Sequence, residues 1–299
     1  MKYGYLTDVS NVDFILPKPP PFQDKYISSP TSNELNFYIG SSVWSDKDFK
    51  GHFYPEKTAQ KNFLSEYAKQ FKTVEVNSTR YGTPKASTLE TWKNSVPDDF
   101  RFAFKMPQII SVRKNILSND VLSRLEDFVI AMDKMGKKAG TTFILLQNNF
   151  NEERLEELNK FLHYLPHEQS FAVEIRNAEF NQSQELIQVL NKHKIASVIT
   201  DTAGERSVTH TAVSSNTAFI RFVGNGLLKS DYERIDLWVN QIQQWVNLGV
   251  RNFYCLHHQP NKNGSFSGYS AKYMIEALNN QFPKYKVRPP SVYKNPSLF

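Results

Sequence analysis

The sequence predicts a TIM-type (β/α)8 barrel. Three observations lead there: short apolar runs recur eight times, amphipathic helical patterns lie between them, and the alternation spans about 260 residues, the length such barrels need. The strand candidates are Phe37–Ser41, Thr73–Val76, Arg101–Lys105, Thr142–Gln147, Phe171–Arg176, Ala196–Thr200, Ala218–Val223 and Asn252–His257. Each is rich in β-branched or aromatic residues and bounded by polar ones. A doubly wound open sheet would alternate in the same way, but no glycine-rich phosphate turn follows any of these strands.

The intervening segments have helical spacing. Phe63, Leu64, Tyr67, Ala68 and Phe71 fall on one face, as do Val121, Leu122, Leu125, Phe128, Val129 and Met132, and again Ile235, Trp238, Val239, Ile242, Trp245 and Val246. Gly136, Gly140 and Gly249 stand where helices should end before the next strand. After the strand that ends near Asp201 the connection is short, so a helix there is expected to be small or missing. Residues 1–36, with Pro17-Lys-Pro-Pro-Pro21 and Ser28-Ser-Pro-Thr-Ser-Asn33, lack periodicity and are expected to form an irregular extension, pinned to the barrel's outside by Phe14, Ile15 and Leu16. Residues 37–282 are expected to form the barrel and 283–299 a tail packing on it.

Composition narrows the function classes. With 40% hydrophobic and 22% charged residues the chain has the balance of a soluble globular protein. Its net charge of +6 favours an anionic partner, yet the basic residues are scattered, with no dense run and no basic-aromatic stripe, so nucleic acid is not expected. Only Cys255 is present, which rules out an internal disulfide framework and fits a reducing cytoplasm. No apolar leader and no stretch approaching the ~20 residues of a membrane span occurs. Nothing in the sequence bears on oligomeric state.

In such barrels chemistry sits at the C-terminal ends of the strands. Those ends carry Ser41, Ser42 and Trp44, then Glu75 and Asn77, Lys105, Gln147, Glu174 and Arg176, Asp201, Arg221, and His257 with His258. Any one of these alone is more often a solvated loop residue or a structural ion pair. Together they form a ring of mixed charge that must pair internally or with a ligand, because charges are seldom buried unpaired. Glu75, Glu174 and Asp201 are candidate acids or bases, with Lys105 as a fourth catalytic candidate. Lys105, Arg176 and Arg221 suit a carboxylate or phosphate, and Trp44, Asn77, Tyr81, Gln147 and His257 complete the candidate substrate site. Adjacent strand residues face opposite ways, so at most one of His257 and His258 enters the mouth. Trp44, Tyr54 and Tyr81 serve a pocket wall or a core equally well. The loop Asn261-Lys-Asn-Gly-Ser-Phe-Ser-Gly268 precedes the last helix, where barrels often seat an anion, although a plain connection is the simpler expectation. No serine stands in a nucleophile elbow, and Cys255 lies within an apolar strand, which disfavours nucleophilic serine or cysteine catalysis.

Several of these stretches resemble domain of unknown function 72, the YecE-like family: Tyr38-Ile-Gly-Ser-Ser-Val-Trp44, His52-Phe-Tyr-Pro55, Thr73-Val-Glu-Val-Asn-Ser-Thr-Arg-Tyr81, Phe102-Ala-Phe-Lys105, Leu145-Leu-Gln147, Ala172-Val-Glu-Ile-Arg176, Asp201 and Ile220-Arg-Phe-Val-Gly224. The resemblance runs in order from about residue 37 to 280 and leaves out the N-terminal extension. It implies a TIM-type barrel and a site made of the strand-end set, and it implies no established reaction. The chain departs from the family pattern at Val43 (usually Gly), at Arg80 (usually Phe) and at His257 and His258, where Asn residues are usual.

The leading expectation is an enzyme without a cofactor that works by carboxylate acid/base chemistry on a small anionic metabolite, phosphorylated or carboxylate. Its signature is a carboxylate pKa raised by burial, or an ion-paired cluster that accepts an anion. The first alternative is a divalent-metal sugar isomerase- or hydrolase-like enzyme with Glu174, Asp201 and His257 as ligands, to which three cations in the same mouth are the physical objection. The second is a non-catalytic protein that binds an anion or nucleic acid.

Overall fold

Every strand of the barrel is short and buried, and each carries its apolar residues on both faces, as a parallel sheet covered by helices requires. In the computed structural model, which describes residues 4–27, 32–259 and 263–293, the strands are β1 (Asn36–Ser41), β2 (Thr73–Val76), β3 (Arg101–Phe104), β4 (Thr142–Leu145), β5 (Phe171–Glu174), β6 (Ala196–Thr202), β7 (Thr217–Val223) and β8 (Asn252–His258). The helices between and after them are α1 (Phe63–Gln70), α2 (Ala86–Asn94), α3 (Gln108–Ser111), α4 (Asn119–Asp133), α5 (Leu155–Leu162), α6 (Gln184–Lys192), α7 (Lys229–Leu248) and α8 (Ser265–Gln281). The order around the sheet is β3-β2-β1-β8-β7-β6-β5-β4. Paired strands are parallel throughout. The circle closes between β3 and β4 through two isolated bridges, Phe102↔Ala139 and Lys105↔Phe143. This is the (β/α)8 barrel that the periodicity predicts, and the strand boundaries differ from the expected ones by one or two residues at several ends.

Local sequence explains individual boundaries. Gly249 ends α7 at φ 118°, and its N–H reaches back to the carbonyls of Trp245 and Val246. A side chain there would have to adopt a left-handed conformation. Gly140 acts differently: its N–H donates to the Phe102 carbonyl at 2.9 Å, and a Cβ would stand 3.0 Å from that oxygen and 2.9 Å from Tyr254 Oη. It marks the close approach that closes the barrel. Ser183 caps α6 by accepting from Leu186 N–H.

Two apolar cores result. One lies between sheet and helices, anchored by the fully buried Trp238 and Trp245 of α7. The other fills the barrel itself, with Tyr38, Phe219 and Phe143 around Tyr254: Tyr38 and Tyr254 stack at 4.7 Å, Phe219 and Tyr254 at 5.5 Å, Phe143 and Phe219 at 5.6 Å. Each fully buried aromatic contributes roughly 1.5–3 kcal/mol of apolar burial. This aromatic layer is the floor under the mouth.

Between β6 and β7 the only helical turn is the 3-10 segment Arg206–Val208. The N-terminal extension runs along that connection. Gln23 exchanges hydrogen bonds with Val213 (2.6 and 2.9 Å), Thr211 Oγ1 donates to the Pro17 carbonyl, Asn191 donates to Tyr26, and Asn225 exchanges bonds with Leu6. At the other end Asn279 and Val287 exchange bonds, and the N–H groups of Ser291 and Tyr293 reach Gln70 and His52. Residues 28–31 of the expected N-terminal extension and 294–299 of the expected tail lie outside the described residues. Within the described residues no helix is long and apolar enough to cross a membrane.

Candidate active site

The inward face of each strand follows from the barrel core. Ala103, Phe143, Ala172, Val198, Phe219 and Leu256 point inward, so two residues further along the same faces come Lys105, Leu145, Glu174, Thr200, Arg221 and His258. Glu75 of β2 joins them. These side chains make one connected layer above the aromatic floor. Arg221 is its hub, donating from Nε and Nη2 to Glu75 (3.0 and 2.8 Å) and from Nη1 to Glu174 (2.9 Å). Glu174 also accepts from Arg176 Nε at 2.7 Å and Thr200 Oγ1 at 3.0 Å. His258 Nε2 stands 2.9 Å from Glu75 Oε2 and 3.3 Å from Arg221 Nη2. Phe143 lies beneath, its ring centre 4.9 Å from the Arg221 guanidinium and 5.4 Å from Lys105 Nζ.

The charges in this layer shape one another. Burial pushes the Glu75 carboxyl upward, but Arg221 and then His258 outweigh it and hold it well below the usual carboxylate range. Glu174 experiences the same contest, and Arg221 and Arg176 bring it down to about 2. Both are ionised at neutral pH and neither is a proton donor there. Of the two signatures expected of an acid/base site, the raised carboxylate is therefore missing and the ion-paired cluster is present. Lys105 moves the opposite way from an ordinary lysine: burial, with Arg221 nearby, lowers its amine to about 8. Its Nζ makes no hydrogen bond or ion pair with any described residue, while its backbone carbonyl accepts from Thr79 Oγ1 at 2.7 Å. Among the described residues, three cations, Lys105, Arg176 and Arg221, face two carboxylates, Glu75 and Glu174.

Two of the expected site residues are on the other side of the strands. Asp201 points outward to α7, where Trp238 Nε1 donates to it at 2.6 Å and Arg234 pairs with it at 2.9 Å, with Arg206 as a further partner. Burial would raise its pKa, but Arg234 and Arg206 prevail and keep it low. His257 also points outward, to Ser270 of α8 at 2.8 Å, and burial pushes its imidazole down to about 3, which makes it neutral. The mouth residue of β8 is His258. The set Glu174, Asp201 and His257 is thus divided between two faces, and among the described residues no group of three or more His, Cys, Asp or Glu is arranged to hold a metal.

The remaining candidates sit at the rim. Trp44 is half-buried edge-on against Trp92 (5.5 Å), and Asn77 reaches the Ser42 carbonyl at 3.4 Å. Gln147 accepts from Arg154 at 3.0 Å, which ties it to a neighbouring loop. Tyr81 is 80% exposed and packs into no wall, whereas Tyr54 is core and donates to the Trp44 carbonyl. Arg80 turns outward to Gln108 (3.1 Å). At the start of α8, Gly264 N–H donates to Asp48 Oδ2 and Ser265 N–H to Asn263 Oδ1, so the chain's own side chains take the described donors of the expected anion seat. Asn261 and Lys262 of that loop lie outside the described residues. Thr200 and Phe143 were not singled out as site residues from sequence, and of the adjacent histidines at the end of β8 the candidate set held His257, with the choice between the two left open. The parity of Tyr254 and Leu256 is the signal that finds His258.

The model for the family described as "Protein of unknown function DUF72" matches residues 38–294. The chain belongs to the DUF72 family. Among curated DUF72 relatives, the UPF0759 protein YecE of Escherichia coli K12 is 28% identical over 204 residues, which covers 61% of this chain and 74% of YecE. The UPF0759 protein YunF of Bacillus subtilis is 35% identical over 71 residues, 24% of each chain. In fold, the chain is similar to the crystal structures of DUF72 proteins from Enterococcus faecalis V583 (TM-score 0.65, 20% identity, 81% of this chain and 95% of that one) and Thermotoga maritima MSB8 (TM-score 0.64, 20% identity, 82% and 99%).

Proposed function

We propose that this chain is an enzyme acting on a small anionic substrate at the C-terminal mouth of the barrel. The observation that carries this reading is a largely buried cationic layer, centred on an amine, that of Lys105, with no hydrogen-bonding partner among the described residues. Buried charges are stable when paired, and among the described residues no carboxylate pairs with the Lys105 amine. Glu75 and Glu174 then hold Arg221 in place as ionised partners, and Lys105, lowered to about 8, is placed to transfer a proton. Arg176 and Arg221 stand at the same height to orient a carboxylate or phosphate. A divalent metal would have to draw Glu75 and Glu174 away from Arg221, so metal-dependent chemistry is the weaker reading. Titration calorimetry with inorganic phosphate and with pyruvate tests the proposal. Saturable binding that weakens with salt and is lost in Lys105→Met is the expected result. Absence of binding for both anions would overturn it.

A further inference from the structure

Lys105 combines four features that do not follow from a structural role. Its amine is aimed up the barrel axis side of β3, two residues beyond Ala103 of the inner core. It rests over the Phe143 ring at 5.4 Å, a dry surface on its lower side. It shares the layer with Arg221, whose positive charge disfavours its protonation, and with two ionised carboxylates, Glu75 and Glu174. Finally, Nζ has no ion-pair or hydrogen-bond partner among the described residues, although the residue is only 8% exposed. A structural buried lysine would be tied to one of the carboxylates; here both are taken by Arg221. A desolvated amine beside another cation is the setting in which lysine becomes a nucleophile toward carbonyl carbon.

We propose that Lys105 forms an imine with its substrate, and that the substrate class is a small 2-oxo acid whose carboxylate is drawn to the cationic layer that Lys105 shares with Arg221 and Arg176. The inference rests on the anion-binding reading above and adds to it the reacting bond. The Lys105 nitrogen lone pair forms the C–N bond as the carbonyl π pair moves to oxygen, and one proton passes from nitrogen to that oxygen. The nitrogen pair then expels the hydroxyl, which takes a proton from solvent and leaves as water. The product iminium bears the positive charge that the ammonium carried, so it faces Glu75 and Glu174 with the charge balance of the resting site restored. The ring of Phe143 supports the same charge from below. A 2-oxo acid matches this setting because its carboxylate is one bond from the carbonyl carbon, and the Lys105 amine shares its layer with two guanidinia.

Reactivity needs the unprotonated amine. With Lys105 at about 8, roughly a tenth of it is neutral at pH 7, against well under one in a thousand for an ordinary lysine. Sodium borohydride reduces an imine irreversibly, so treating the intact protein with pyruvate, and separately glyoxylate, followed by borohydride and mass spectrometry reads the step directly. The expected result is about one reduced adduct per chain, mapped by peptide digestion to Lys105, with a yield that rises from pH 7 to 9 and vanishes in Lys105→Arg. Mapping on the unaltered protein keeps the test decisive even where the variant folds poorly. If pyruvate binds by calorimetry but no adduct forms, or adducts spread over surface lysines at equal yield in Lys105→Arg, the imine is overturned and the anion-binding reading stands. If neither oxo acid binds or reacts, the imine is overturned, and the anion-binding reading falls with it when phosphate also fails to bind.

Discussion

Two buried ionic clusters sit at the same height of the barrel on opposite faces of the strands. The inner one joins Glu75, Glu174, Arg221, Arg176, Lys105 and His258. The outer one joins Asp201, Asp231, Arg206 and Arg234 with Trp238. In the outer cluster two carboxylates meet two guanidinia, so charge is balanced. Asp231 accepts from the N–H groups of Asn225 and Leu227 at the start of α7, and Arg234 is sandwiched between Phe222 (4.4 Å) and Phe14 of the N-terminal extension (5.1 Å). That cluster is sealed and fastens α7 and the extension to the sheet. In the inner cluster, counted over the described residues, cations outnumber carboxylates, and the Lys105 amine there has no ion-pair partner among them. The same residue types therefore do different work according to strand parity, and balance of charge separates a fastening from a binding surface.

The comparison can be broken most forcefully at Arg234. Arg234→Met should cost about 3–5 kcal/mol of unfolding free energy, because it strands Asp201 and Asp231 without their shared partner; urea denaturation measures it, and a cost near zero would mean that the outer cluster fastens nothing. Acid should act next on the inner cluster. The folded pKa of Glu174 lies at about 2, below its unfolded value, so its contribution is complete above about pH 4.5 and is lost as pH falls toward 2. The loss is of order 3 kcal/mol, and it should appear as a fall in Tm over that window that Glu174→Gln makes smaller, the lowered carboxyls of Glu75 and Asp201 supplying the rest.

Lys105→Met sharpens the contrast. It should weaken phosphate binding at least ~10-fold, about 1.4 kcal/mol, while leaving stability at pH 7 unchanged or raised, since it removes an unmatched buried cation. The lowered lysine pKa has its own sign: in the unaltered protein the penalty is present below about 8 and is relieved as pH rises toward the unfolded value, so the stability difference between the two proteins should shrink above pH 8. A loss of stability on Lys105→Met at pH 7 would argue that Lys105 belongs with the fastenings. The smallest effect is expected at Phe14→Ala, about 1 kcal/mol from the lost contacts over Arg206 and Arg234, with phosphate binding unaffected.

Much of the fold was legible in the chain. Helical spacing around Phe63, Leu125 and Trp238 and eight buried strand runs suffice for the barrel, and the short connection after β6 was visible as a missing helix. The layer of inner polar residues was legible in part. Glu75, Lys105, Glu174 and Arg221 share an inward parity with the apolar residues before them, so listing strand ends found them. Listing ends also swept in Asp201 and His257, one residue out of phase, because boundaries read from sequence carry an uncertainty of a residue or two and a shift of one inverts the face. The state of the carboxylates was not legible at all. Whether burial or a guanidinium prevails depends on distances of about 3 Å between strands far apart in sequence, and no local pattern encodes them.

The barrel's thinnest seam lies between β3 and β4, where two isolated bridges replace a continuous ladder. Residue 105 is one of the stitches: Met106 N–H binds the Phe143 carbonyl at 2.9 Å, and Thr79 clasps the carbonyl of Lys105. The backbone at this point is therefore fixed by its neighbours on both sides, while the amine of the side chain is hydrogen-bonded by no described residue. Evolution at this position can exchange the chemistry without re-tailoring the seam, because whatever side chain stands at residue 105 inherits a rigid mount aimed over the aromatic floor.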